Sequence, residues 1–175
     1  MSTMSISEPR RQVVIIGLGN PLMGDDGLGL AALERLREQW RLSPDAELVD
    51  GGTWGLTLLP VIEAADRVLL IDAIDAGAAP GTLHVLEHAQ LPRYLATKIS
   101  PHEVDLRDVL ALAELRGTLP QDTVAIGLQP AAVRLSSELS DVVRLRLDEL
   151  VTAVTRRLAE WGYPCEPARA VPCMS

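Results

Sequence analysis

The sequence predicts an α/β protein, a three-layer sandwich with helices flanking a mostly parallel central sheet. Three observations predict it. Residues 12–17 (QVVIIG) and 67–72 (RVLLID) are runs of β-branched and aliphatic residues, as expected for strands buried on both faces. Amphipathic helical stretches alternate with the strands. Acidic residues gather just past the strands' carboxyl ends, at Asp25-Asp26, Asp50, Asp72 and Asp75.

Taken in order, the first strand ends in the turn Gly17-Leu18-Gly19-Asn20-Pro21. Leu30, Leu33, Leu36 and Trp40 then recur at helical spacing. A short strand at 47–49 ends at Asp50, and a helix at 56–64 follows the glycine-rich turn 51–55. The strand 67–72 comes next. Residues 82–88 half-alternate, with Leu86 breaking the pattern, and predict an edge strand of antiparallel type. Ser100-Pro101-His102-Glu103 is a capping box with Pro at the first helical position, so a helix starts there and runs toward Gly117. A strand at 123–128 and a single long helix over 140–161, closed by Gly162 and Pro164, complete the order.

A chain of 175 residues suits one domain, expected over 12–162, with a flexible N-terminal stretch at 1–11 and a Pro-containing tail at 163–175. Its 47% hydrophobic and 23% charged content is that of a folded globular protein. Phe is absent and aromatics make up 3%, so no stacking platform for single-stranded nucleic acid is available. A net charge of -8 disfavours nucleic acid and anionic membranes as partners. Without a signal peptide or an apolar run long enough to span a bilayer, the protein is expected in the cytoplasm. No obvious exposed apolar stripe appears, which favours a monomer. Cys165 and Cys173 lie in the tail and are expected to be reduced and incidental.

In an open parallel sheet, functional groups collect at the carboxyl ends of the strands. Carboxylates crowded there raise one another's pKa unless a cation neutralises them, which points to a metal. Asp25 and Asp26 have an alternative use as helix caps, and one cap suffices. Asp72 could equally be an ordinary turn residue. His102, at the start of its helix, is favoured as neutral imidazole by the positive end of the dipole, and neutral imidazole is the ligand form. His84 and His88 read as surface histidines. Two carboxylates and an imidazole suit Ni, Zn, Mn or Fe and leave coordination positions open. The sequence lacks an HExxH helix, a GxSxG elbow and a cysteine within the domain, so a resident nucleophile is not supported. A dinucleotide site fails because Leu22 stands where the third glycine belongs and carboxylates occupy the pyrophosphate position.

Five segments in register, GLGNPLMGDDGLG (17–29), DGGTWG (50–55), LLIDAIDAG (69–77), KISPHEVDLRDVL (98–110) and IGLQP (126–130), resemble the nickel–iron hydrogenase maturation proteases. The resemblance covers nearly the whole chain. It implies an endopeptidase that removes a C-terminal peptide from the precursor of the hydrogenase large subunit once nickel is inserted. The nickel would come with the substrate, and no organic cofactor is expected. The family's three metal-contacting positions fall on Asp26, Asp72 and His102, to which both metal reading and catalysis are assigned. Family members carry Glu or Asp at the first, so Asp26 is a shorter arm than some relatives have. Asp25 and Asp50 are candidates for supporting these ligands. A rival reading is a nickel-binding accessory protein that cuts nothing. A peptidyl-tRNA hydrolase reading of the glycine turn fails on the acidic Asp25-Asp26 pair.

Overall fold

The computed structural model describes residues 12–52, 55–97 and 106–168. Strand β1 (Val13–Leu18) leads through a 3-10 turn, Gly24–Gly27, into α1 (Leu28–Gln39). A two-residue strand β2 (Trp40–Arg41) and β3 (Ala46–Gly52) follow. Next come a 3-10 turn at Gly55–Leu58, α2 (Leu59–Ala64), β4 (Arg67–Ala73) and β5 (Leu83–Leu86). Helices α3 (Leu91–Thr97) and α4 (Leu106–Leu115) precede β6 (Asp122–Leu128). The described chain closes with α5 (Asp141–Leu145), α6 (Leu147–Glu160) and β7 (Glu166–Pro167).

The central sheet has the order β3-β1-β4-β6-β5. All its pairs are parallel except β5 with β6, so the expected antiparallel edge strand is present. Alternate residues face opposite layers. Val13, Ile15, Leu69 and Ile71 pack with α1, α5 and α6, whereas Val14, Ile16, Val68 and Leu70 pack with α2, α3 and α4. The strands are therefore buried on both faces, as their unbroken apolar runs predict.

Four elements differ from expectation, each for a local reason. The edge strand stops at Leu86 because the Glu87 N–H turns to the Gln90 Oε1, 2.9 Å away, in a capping box that opens the His88–Gln90 turn. Helix α3, which no strong periodicity marks, follows directly from that turn. The long C-terminal helix is two helices. At Arg146 (φ -99°, ψ 1°) the N–H bonds to the Val143 carbonyl, tightening the last turn of α5 before α6 begins. Finally, the tail is not wholly irregular, since Trp40 pairs with Pro167 and Arg41 with Glu166. The first six residues of the helix expected from Ser100, 100–105, with its capping box, lie outside the described residues.

At the amino end of β4, the Arg67 guanidinium lies 5.6 Å from the Trp161 ring and 6.0 Å from that of Tyr163, and it pairs with Asp122. This end is opposite the one where the acidic residues gather.

Helix α1 sits unusually close to the sheet. A Cβ at Gly29 would lie 2.3 Å from the Leu18 carbonyl oxygen and 2.4 Å from that of Ile71. Both obstacles are backbone, so no side chain can swing aside. Gly29→Ala is accordingly expected to destabilise the protein by more than about 3 kcal/mol, far above an ordinary helical Gly→Ala change, as read by urea unfolding.

Candidate active site

Leaving β1, the chain returns through α1 to β3 on one side. From β3 it crosses through α2 to β4 on the other side of β1. This is a topological switch point, and the crevice at the carboxyl ends of β1 and β4 is where such sheets bind ligands. The Gly24–Gly27 turn packs against β4 at this place. Asp26 and Asp72 stand on its two sides.

Asp26 is half-buried in the turn after β1. Its Oδ2 accepts the Asn20 N–H at 2.9 Å, which anchors one carboxylate oxygen to the preceding loop. Gly19 makes this approach possible: it adopts φ +108°, and a Cβ there would sit 1.7 Å from the Asp26 carbonyl oxygen. Asp72 is 1% exposed and shares the face of Val68 and Leu70. Its Oδ2 accepts the Tyr94 hydroxyl at 2.8 Å, and the same hydroxyl lies 3.3 Å from the Ala73 carbonyl. Tyr94, from α3, was not singled out in the sequence. The available signal is that this Phe-free chain spends one of its two tyrosines here, and a buried tyrosine hydroxyl needs a partner. His102 lies outside the described residues, in the segment joining α3 to α4, both of which cover the face Asp72 points to. Among the described residues no three acidic, histidine or cysteine side chains cluster to hold an ion.

The other carboxylates do not converge as expected. Asp25 neither caps α1, whose N-cap is Gly27, nor turns toward the crevice. It is 1% exposed, and loop 131–140 surrounds it. Its Oδ2 accepts the Ala131 N–H (2.8 Å), the Ala132 N–H (3.0 Å) and the Ser140 hydroxyl (2.8 Å), and its Oδ1 accepts the Ser140 N–H (2.7 Å). With both oxygens so engaged, it serves the loop rather than a ligand. Asp75 is likewise committed, accepting the Gln129 amide at 2.8 Å and the Gly77 N–H at 3.2 Å. These bonds, Gln129's first, hold its carboxyl below the usual range. Gln129 in turn accepts the Ala76 and Ala78 N–H groups, so the LQP segment organises the loop after β4. Asp50 is exposed on β3, with β1 between it and β4. It lines a groove of about 320 Å³ together with Gly24, Gly27 and Arg37. His84 and His88 are not the surface histidines expected: both are half-buried, with the His84 Nε2 and the His88 Nδ1 shielded from solvent, and His84 stands level with Asp72 across Gly127 of β6. Cys165 is a free thiol whose pKa burial pushes up, which suits an unreactive tail residue.

Two carboxylates at a switch-point crevice supply oxygen donors that can ligate a cation or take up a proton. The profile of the hydrogenase maturation protease family matches residues 30–157, almost three quarters of the chain. The chain belongs to this family. It is therefore a hydrolase acting on peptide bonds in hydrogenase maturation, which sets aside the non-cutting accessory reading. The hydrogenase expression/formation protein HoxM of Cupriavidus necator is 40% identical over 152 residues, 86% of this chain and 75% of its own. The hydrogenase 2 maturation protease of Escherichia coli is 30% identical and covers 91% of this chain and 98% of its own. Among solved structures, the hydrogenase maturating endopeptidase HybD from E. coli superposes with a TM-score of 0.84 at 30% identity, covering 89% of this chain and 97% of its own. HycI from Thermococcus kodakarensis gives 0.67 at 30% identity, covering 85% and 93%. Among the described residues no helix is long and apolar enough to cross a membrane.

The surroundings of Asp25 have a consequence in acid. Burial pushes its carboxyl up, but the Ser140, Ala132 and Ala131 N–H groups and the Ser140 hydroxyl outweigh burial and hold it below its ordinary 3.8. Because the folded value lies below the unfolded one, this stabilisation is present above pH 3.8 and is lost as the pH falls through the folded value. Asp25→Ala, which strands several buried donors, is expected to cost about 3 kcal/mol at neutral pH. In urea unfolding at a series of pH values, the gap between variant and wild type should narrow only in strong acid.

Proposed function

We propose that this protease removes the C-terminal peptide from the nickel-loaded precursor of the [NiFe] hydrogenase large subunit, reading the nickel through Asp26, Asp72 and His102. The observation that carries this reading is the pair Asp26 and Asp72 flanking the β1/β4 crevice, each with one carboxylate oxygen anchored by a neighbouring donor. Anchored carboxylates are pre-oriented ligands and lose little freedom on binding. His102 supplies the third contact, by its place in the family's SPH segment.

In this reading the nickel is part of the substrate. The three side chains bind it and so place the scissile peptide bond in the crevice. The metal supplies Lewis-acid polarisation of the carbonyl or an activated water. Asp25 and Asp50 stand outside the ligand set. The protein acts in the cytoplasm, as a monomer and without an organic cofactor.

The test is to incubate the purified protein with precursor loaded with nickel or free of it and to follow the precursor's mass. Loss of a C-terminal peptide only from the loaded precursor is expected. His102→Ala should abolish that cleavage with an unchanged thermal melt, and a variant that still processes the precursor would refute the assignment.

A further inference from the structure

Beside the crevice, two irregular segments are fastened together with unusual thoroughness. Met23 and Ser136 form a parallel bridge. The Ser136 N–H donates to the Leu22 carbonyl at 3.0 Å, the Gly24 N–H to the Ser136 carbonyl at 2.8 Å, and the Asp25 N–H to the Ala132 carbonyl at 3.1 Å. Beneath these bonds the buried Asp25 carboxylate gathers four more from Ala131, Ala132 and Ser140. A charge is costly to bury, and here it is buried to hold a surface loop in one shape.

The clamp presents an apolar surface to solvent. Leu22 is 59% exposed, Val133 55% and Leu135 84%. The bridge register puts Leu22 and Leu135 side by side, each one step before the Met23–Ser136 pair. Between Val133 and Leu135 stands Arg134, an exposed cation on a chain of net charge -8. Exposed aliphatic side chains on a hydrogen-bonded clamp, beside the Arg134 cation and next to the turn that carries Asp26, mark a contact surface rather than a core.

We propose that Leu22, Val133, Arg134 and Leu135 form a docking lip for the hydrogenase precursor, and that Asp25 is the positioning residue that keeps the lip in shape. The lip takes an apolar segment of the precursor that carries an acidic side chain, which Arg134 pairs. The lip adjoins Asp26 through the Gly24–Gly27 turn, so a precursor seated on it is delivered to the crevice. This inference rests on the cleavage reading above and adds to it how the protein partner is held.

The test measures both binding of the nickel-loaded precursor to the full chain and steady-state cleavage. Arg134→Glu and the double variant Leu22→Ser/Leu135→Ser change only exposed side chains. Each is expected to weaken binding and raise KM about tenfold, with kcat retained at saturating precursor. Ser140→Ala, which removes one donor from Asp25, should move KM in the same direction, as should Asp25→Asn where its thermal melt shows it folded. Wild-type affinity and KM in the two lip variants would overturn the lip while leaving the protease reading intact. Unchanged KM in Ser140→Ala and in folded Asp25→Asn would overturn the positioning role. Lip-dependent binding with no cleavage by the wild type would overturn the protease reading and leave the lip standing.

Discussion

The site depends on the handedness of two crossovers. β1 has β3 on one side and β4 on the other, and right-handed connections in opposite directions must run over opposite faces of the sheet. Helix α1 therefore covers one face and α2 the other, and the chain parts above the ends of β1 and β4. No side chain creates that opening. The apolar faces of the strands and the missing Cβ atoms at Gly29 and Gly19 let the backbone close tightly enough to leave carboxylates at its rim.

Asp25 and Asp26 show how environment divides two identical side chains. They are neighbours in one 3-10 turn, so their side chains leave the backbone in different directions. One meets the amides of loop 131–140 and becomes an internal strut. The other keeps a single anchor to Asn20 and stays at the crevice. Their chemistry is the same, and the donors within reach decide which of them can serve a ligand.

Much of this architecture is legible in the residues. The runs at 12–17 and 67–72 announce buried parallel strands, and the acidic strand ends point to the edge where ligands bind. The glycine, DAI and SPH segments identify the family. What the sequence hides has physical causes. The strut role of Asp25 depends on a loop more than a hundred residues away, and no local pattern encodes such a contact. Tyr94 lies on a short helix whose amphipathic signal spans barely two turns. The β2–β7 pair involves two residues on each side, too few for alternation to register. The break at Arg146 keeps the apolar face of the C-terminal helices unbroken, so periodicity passes straight through it.

The stack of Arg67 on Trp161 and Tyr163 sits at the amino end of β4, and Asp72 lies five residues along the same strand, about 16 Å away at strand rise. The indole of Trp161 is thus held by the packing of α6 against the sheet, well clear of the crevice. In a variant with Trp40 and Trp54 replaced, so that Trp161 is the one tryptophan left, its emission is an optical gauge of global folding set apart from events at the other end. Altered chemistry at the carboxylates can thus be told apart from a loosened fold by light alone.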